Sequence, residues 1–243
     1  MIRKWMERLI EAMYPTRATC LGCGDERGCS EPFLCDTCRN MLRPAYIVAR
    51  RDDWKKRGLQ WAAFVYYYER PIKGLIRAYK FKGVRMLAEN LAHELINLIE
   101  YRALGPFDLI IPVPLHPSRR QERGFNQAEL LARPLAPLCG ADLKTDFLIR
   151  TKNTRQQSKL RIGKRTENLM SAFSASAELN GMRILLVDDV VTTGSTLCAC
   201  AEALKAAGAA EVCAVTLAGS HAWRRGRRKN YRLKKKAKIV NRE

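Results

Sequence analysis

The stretch ILLVDDVVTTGST at 184–196 places Asp188, Asp189, Thr192, Thr193, Gly194, Ser195 and Thr196 in an order suited to holding a sugar phosphate. The apolar run 184–187 has the pattern of a buried strand, two carboxylates stand at its carboxyl end, and hydroxyl residues around one glycine lead into a helical segment. In such a turn, backbone N–H groups and the positive end of the helix dipole cradle a phosphate. Gly194 permits close approach, and the hydroxyls of Thr193, Ser195 and Thr196 add donors. The carboxylates can accept hydrogen bonds from ribose hydroxyls. The plainer role for the same residues is acids ending a strand and threonines capping a helix.

A second constellation is made of thiols. Cys20, Cys23, Cys35 and Cys38 form two C-x-x-C units separated by eleven residues, which lets two tight knuckles present four thiolates tetrahedrally to one structural Zn2+. Four unrelated thiols or a redox pair is the alternative. So short a segment has too little apolar surface to fold alone, and metal binding would supply its stability. Cys29 lies between the pairs, as a bystander or an alternate ligand. Cys139, Cys198, Cys200 and Cys213 suit core or helix positions, and none has the setting of a nucleophile.

The elements that must position these groups follow from hydropathy. A helix is expected at 2–13 and the cysteine module to about 43. A charged connector, RRDDWKKRG, spans 50–58, and a strand 59–68. Helices near 71–80 and 86–101 precede a strand at 108–114. A helix follows at about 125–138, then a short strand around 146–149, a helix near 163–171, a strand at 183–188, a helix at 195–207 and a strand at 211–217. Gly208 suits a helix C-cap. Alternating strands and helices with continuous apolar strands predict an α/β doubly wound parallel sheet flanked by helices, whose ligands bind at the carboxyl ends of its strands, after residues 114 and 188.

Composition bounds the rest. The 243 residues allow one main domain with small accessories, and no run approaches the roughly 20 apolar residues of a membrane span. The charged N-terminal helix does not read as an export signal, so a cytoplasmic location is expected, with no membrane insertion. The net charge of +20 is uneven: residues 221–243 hold eleven Lys or Arg and one acid, half of the excess. That tail is read as a basic extension that either binds single- or double-stranded DNA or only solubilises the chain. The expected division is 1–45, a helix and four-cysteine module; 59–220, the α/β domain; and 221–243, the tail.

The segment 184–196 closely resembles the phosphoribosyl pyrophosphate (PRPP) motif of type I phosphoribosyltransferases, in the strand–loop–helix context that the motif requires. The turn PVPLHPSRR at 112–120, with Pro114, looks like the loop that binds pyrophosphate in that group, and Arg119, Arg120 and Arg123 suit its charge. The basic loop 150–165, with Lys159 and Arg161, resembles the flap that closes over PRPP; a solvated loop is the alternative. The order of a zinc ribbon and these segments, together with YKFKG at 79–83, RRQERGFNQ at 119–127 and RTKNTRQQSKLRIGKRTENLMSAF at 150–173, resembles the ComF family over most of residues 20–218.

The resemblance implies a type I phosphoribosyltransferase fold with an N-terminal zinc ribbon, and displacement at the anomeric carbon of PRPP with release of pyrophosphate. Mg2+ would accompany PRPP, Asp188 and Asp189 would hold the ribose, and residues 192–196 the 5′-phosphate. Thr192 stands where hypoxanthine and guanine salvage enzymes of the group carry an aspartate, which argues against that acceptor. Other readings stay open: a competence or DNA-uptake accessory that keeps the pocket as a sensor for PRPP or another ribose-5-phosphate ligand, and assembly as a homodimer. His116 suits packing in its proline-rich turn as well as phosphate contact.

Overall fold

The computed structural model describes residues 19–26, 33–81, 87–151 and 172–221. The helix expected at 2–13, Cys29, the flap with Lys159 and Arg161, the helix expected at 163–171 and the basic tail from 222 lie outside the described residues.

In chain order, α1 (Asp36–Met41) follows the first cysteines. Next come β1 (Ile47–Ala49), α2 (Asp52–Lys56), β2 (Leu59–Tyr67), α3 (Ile72–Phe81) and α4 (Leu87–Tyr101). The middle of the chain forms β3 (Leu109–Pro112), α5 (Pro117–Arg123), α6 (Gln127–Cys139) and β4 (Asp142–Leu143). The last elements are β5 (Leu148–Arg150), β6 (Phe173–Ala175), β7 (Arg183–Val191), α7 (Ser195–Ala206) and β8 (Glu211–Gly219).

Six strands make one sheet in the order β1-β2-β8-β7-β3-β4. All neighbours run parallel except the edge strand β1, which is antiparallel to β2. Both faces are covered, as the apolar strands require. Because side chains alternate along a strand, Trp61, Ala63 and Val65 of β2 face one core with α3, α4 and α6, while Ala62 and Phe64 face a second core with α2 and α7. Among the described residues no helix is long and apolar enough to cross a membrane.

The structure departs from the sequence expectations where pairing outweighs local pattern. Strand β7 runs three residues past 188, because Asp188, Val190 and Val191 still pair with Thr216, Ala218 and Gly219 of β8. The short strand expected near 146–149 is β5, which leaves the main sheet and pairs antiparallel with β6. Residues 50–58 are no mere connector, for they contain α2. Helix α7 has its C-cap at Ala207, and Gly208, with φ +97°, follows it in the left-handed conformation.

Candidate functional site

The strands β3 and β7 are parallel neighbours, with Pro112, the last residue of β3, opposite Val187, four residues before the end of β7. Their carboxyl ends therefore present two loops to one crevice, as open α/β sheets do. The loop after β7 is the threonine turn. Gly194 adopts φ +83° as the N-cap of α7, and Thr193 Oγ1 lies 2.8 Å from Ser195 Oγ and accepts from the Ser195 N–H at 3.3 Å. Thr192 and Thr193 are exposed, and Ser195 and Thr196 half-buried, so the hydroxyl cluster faces outward at the positive end of a twelve-residue helix.

The acid pair lies just before that turn, within β7. The Asp189 N–H donates to Asp188 Oδ1 at 2.8 Å, and the Asp189 carboxylate, in a residue 8% exposed, accepts from Lys80 Nζ at 2.7 Å. Burial, then the neighbouring Asp189 charge, push the Asp188 carboxyl up to about 7, against Lys80, the Asp189 N–H and Arg150, which pull it down. A carboxyl whose folded pKa exceeds its ordinary 3.8 holds more protons folded than unfolded between the two values. The stability it subtracts is thus nil at low pH, grows as pH rises from about 4 towards 7, and stays in full above. Asp188→Asn is expected to unfold about 1–3 kcal/mol harder than wild type at pH 8, with the gap closing towards pH 4. Urea titrations at the two pH values check this, and equal stabilities at pH 8 would contradict it.

Across the crevice, the Val113 N–H donates to Val187 O at 2.9 Å and Val113 O accepts from Asn126 Nδ2 at 3.2 Å, which fixes the turn 112–116. His116 is the N-cap of α5, its Nδ1 accepting from the Ser118 N–H at 3.3 Å, so its role there is structural capping. Arg119 is half-buried on α5. Arg120 lies 3.7 Å from Glu129, and Arg123 donates to Gln127 Oε1 at 2.9 Å while stacking over Phe81 at 4.8 Å. Pro114 and Arg120 line a cleft of about 520 Å³ with Leu115, Thr145, Leu148 and Arg150, at the root of the β5–β6 hairpin that carries the flap segment.

The segment YKF at 79–81 ties both loops together, a role that its sequence did not disclose. Tyr79 Oη donates to Gln127 O at 2.8 Å and its ring meets Phe125 at 6.0 Å; Phe81 takes Arg123; Lys80 takes Asp189. A basic residue near the end of an amphipathic helix was the available signal, but its partner is 109 residues away.

The sulfurs of Cys20, Cys23, Cys35 and Cys38 all lie within 4.8 Å of one another, close enough to bind one metal ion. Cys23 Sγ and Cys35 Sγ are 3.9 Å apart, near the ~3.8 Å edge of a tetrahedron of thiolates around Zn2+. Burial pushes the Cys20 thiol up, yet the N–H groups of Cys35, Cys23 and Gly22 outweigh it and hold the thiol at about 6, ready to ligate as thiolate. Burial and the neighbouring thiols hold Cys38 well above the usual thiol range, so its proton must leave when metal enters. The module docks on α3 at Gly74, where a Cβ would stand 2.1 Å from Leu21 O.

A family model described as phosphoribosyl transferase domain matches residues 121–242, half of the chain. Competence protein F of Haemophilus influenzae is 32% identical over 213 residues, covering 79% of this chain and 93% of that one. The chain belongs to the ComF family. DNA utilization protein YhgH of Salmonella typhi is 38% identical over 149 residues, 60% of this chain, and the match spans 66% of that relative's length. Among solved structures, a purine phosphoribosyltransferase from Pyrococcus horikoshii is a distant likeness, 24% identical, with a TM-score of 0.31 over 56% of this chain and 73% of that one. Within this ComF chain the family match takes in the acid pair, the threonine turn and the whole basic segment 150–165, and begins inside α5. The turn 112–116, Lys80 and the cysteine module precede it.

Proposed function

We propose that this ComF-family chain binds PRPP with Mg2+ and transfers its phosphoribosyl group to an acceptor, releasing pyrophosphate. The observation that carries this reading is the placement, on adjacent strands, of an acid pair within β7 and the threonine turn after it beside a second turn, flanked by Arg119, Arg120 and Arg123, after β3. The threonine turn would take the 5′-phosphate on its N–H groups and hydroxyls, and Asp188 and Asp189 the ribose hydroxyls.

The two carboxylates are hard oxygen donors of the kind that Mg2+ accepts, partly through water, and the ion would neutralise pyrophosphate oxygens when bound. Pro114, Arg119, Arg120 and Arg123 would receive the leaving pyrophosphate, with Lys159 and Arg161 closing over it. Lys80 holds Asp189 in place, where its carboxylate would meet a ribose hydroxyl or help to hold the ion. Catalysis would then be mostly positioning and charge stabilisation, with no nucleophilic side chain required. In the cysteine module, Cys20, Cys23, Cys35 and Cys38 would hold a structural Zn2+.

A second reading, favoured by relatives named for DNA utilization and competence, is an accessory that keeps the pocket as a ligand sensor and meets DNA through its basic tail. Calorimetric titration with PRPP and Mg2+ tests the shared pocket, and enzymatic detection of released pyrophosphate across a panel of acceptors separates the two readings. Turnover with any acceptor supports transfer; binding without turnover across the panel favours the sensor.

A further inference from the structure

Trp54 is among the largest fully buried side chains, yet it comes from a five-residue helix in a segment of mostly charged residues and lies before the family match begins. Its indole Nε1 donates to Thr193 O at 3.2 Å. A Cβ on Gly194 would stand 2.5 Å from two ring carbons and 2.6 Å from Nε1. Trp54 is thus the floor of the phosphate turn, and Gly194 is required to be glycine on this side as well as by its φ of +83°.

The orientation of one peptide follows. The cis bonds among the described residues are Arg70–Pro71 and Gly105–Pro106, so the peptide joining Thr193 to Gly194 is trans. In a trans planar peptide the C=O and N–H point in opposite directions. With the Thr193 carbonyl held down on the indole, the Gly194 N–H is turned the other way, towards the outer side of the turn. Among the described residues nothing accepts that N–H, although Gly194 is buried, whereas the neighbouring Ser195 N–H is already taken by Thr193 Oγ1.

Glycine adopts left- and right-handed backbone conformations with similar ease, so an unanchored peptide before it can flip. A flip would present a carbonyl oxygen where a phosphate oxygen must sit, replacing attraction by repulsion. We propose that Trp54 is a positioning residue that prevents this flip, its indole N–H holding the Thr193 carbonyl so that the Gly194 N–H is aimed at the phosphate of the ligand. The inference rests on the PRPP reading of the turn and adds to it a residue 139 positions away.

The helix that carries Trp54 is itself fixed to the helix that starts at the turn. Arg57 grips Glu202 of α7 through two bonds of 2.5 and 2.9 Å, and the space for a Cβ at Gly58 is filled by Lys205 Cγ at 2.6 Å. Arg51, forked onto Asp53, lies over the indole at 6.0 Å. The floor of the turn is therefore anchored to α7.

The test uses the full zinc-loaded chain. Trp54→Phe keeps an aromatic ring but removes the donor, and is expected to bind PRPP with Mg2+ about 10–100-fold more weakly than wild type, as loss of a well-aimed donor to a charged group implies. In wild type labelled with 15N-glycine, the Gly194 amide proton should move downfield on addition of PRPP, and the Trp54 indole proton should exchange more slowly than before. Both readouts follow the peptide itself, and a general loosening of the core would not produce them. Affinity of Trp54→Phe within twofold of wild type, or a Gly194 amide that PRPP leaves unmoved, overturns the inference while the PRPP reading stands. A wild type that does not bind PRPP overturns the reading and the inference with it. If Trp54→Phe fails to fold, the two wild-type proton measurements decide alone.

Discussion

Cys38→Ser is expected to cost the chain its metal and the folded state of its cysteine module together. The sulfurs of Cys20, Cys23, Cys35 and Cys38 lie within 4.8 Å of one another, and the segment around them contributes few side chains to the cores, so little besides ligation holds them there. Structural Zn2+ supplies roughly 10–16 kcal/mol in small four-ligand modules, far more than a helix as short as the six residues of α1 can. Elemental analysis of the wild type should give one zinc per chain, and Cys38→Ser should give none while the sheet domain keeps its cooperative melt. Gly74→Ala is the companion variant: its methyl would meet Leu21 O at 2.1 Å, so the module should keep its zinc but leave α3, measurable as faster proteolysis within residues 19–41. Stoichiometric zinc retained by Cys38→Ser would contradict the assignment of the four thiols.

Gly194→Ala is expected to damage the threonine turn directly. The backbone at φ +83° costs an L-residue about 1–2 kcal/mol, and the new Cβ would lie 2.5 Å from two carbons of the Trp54 ring, an overpacking that costs about 1–3 kcal/mol more. The strain is relieved only by moving the turn off its floor, which misaligns the donors at the start of α7. Urea unfolding should show a loss of about 2–5 kcal/mol, and PRPP affinity should fall on the order of 100-fold. An alanine variant as stable as wild type would show that the turn is not seated on Trp54.

Much of this site was legible because its chemistry is contiguous. Thirteen residues of strand, acids, turn and helix start carry their own geometry, and Cys20, Cys23, Cys35 and Cys38 declare themselves by spacing. The parallel sheet was likewise legible, since apolar runs such as 184–187 and 211–217 alternate with helical stretches. What escaped was set by long-range pairing. Lys80 and Trp54 reach the site across 109 and 139 residues, and nothing local in YKFKG or RRDDWKKRG names the partner.

Residue 54 looked like one apolar side chain in a charged linker because the helix around it is only five residues long. The extension of β7 to Val191 escaped for the same reason: Asp188 and Asp189 look like a strand end, but the opposite backbone of β8 continues and keeps them in the sheet. Strands β1 and β4, three and two residues long, are too short for a period to show.

The central claim is that the crevice between the ends of β3 and β7 is a PRPP site. Calorimetric titration of the zinc-loaded chain with PRPP and Mg2+, beside the Asp188→Asn/Asp189→Asn double variant, tests it most directly. Saturable one-to-one binding by the wild type, lost in the double variant while its fold is retained, is the predicted result. No heat from the wild type, or equal binding by the two proteins, would contradict it.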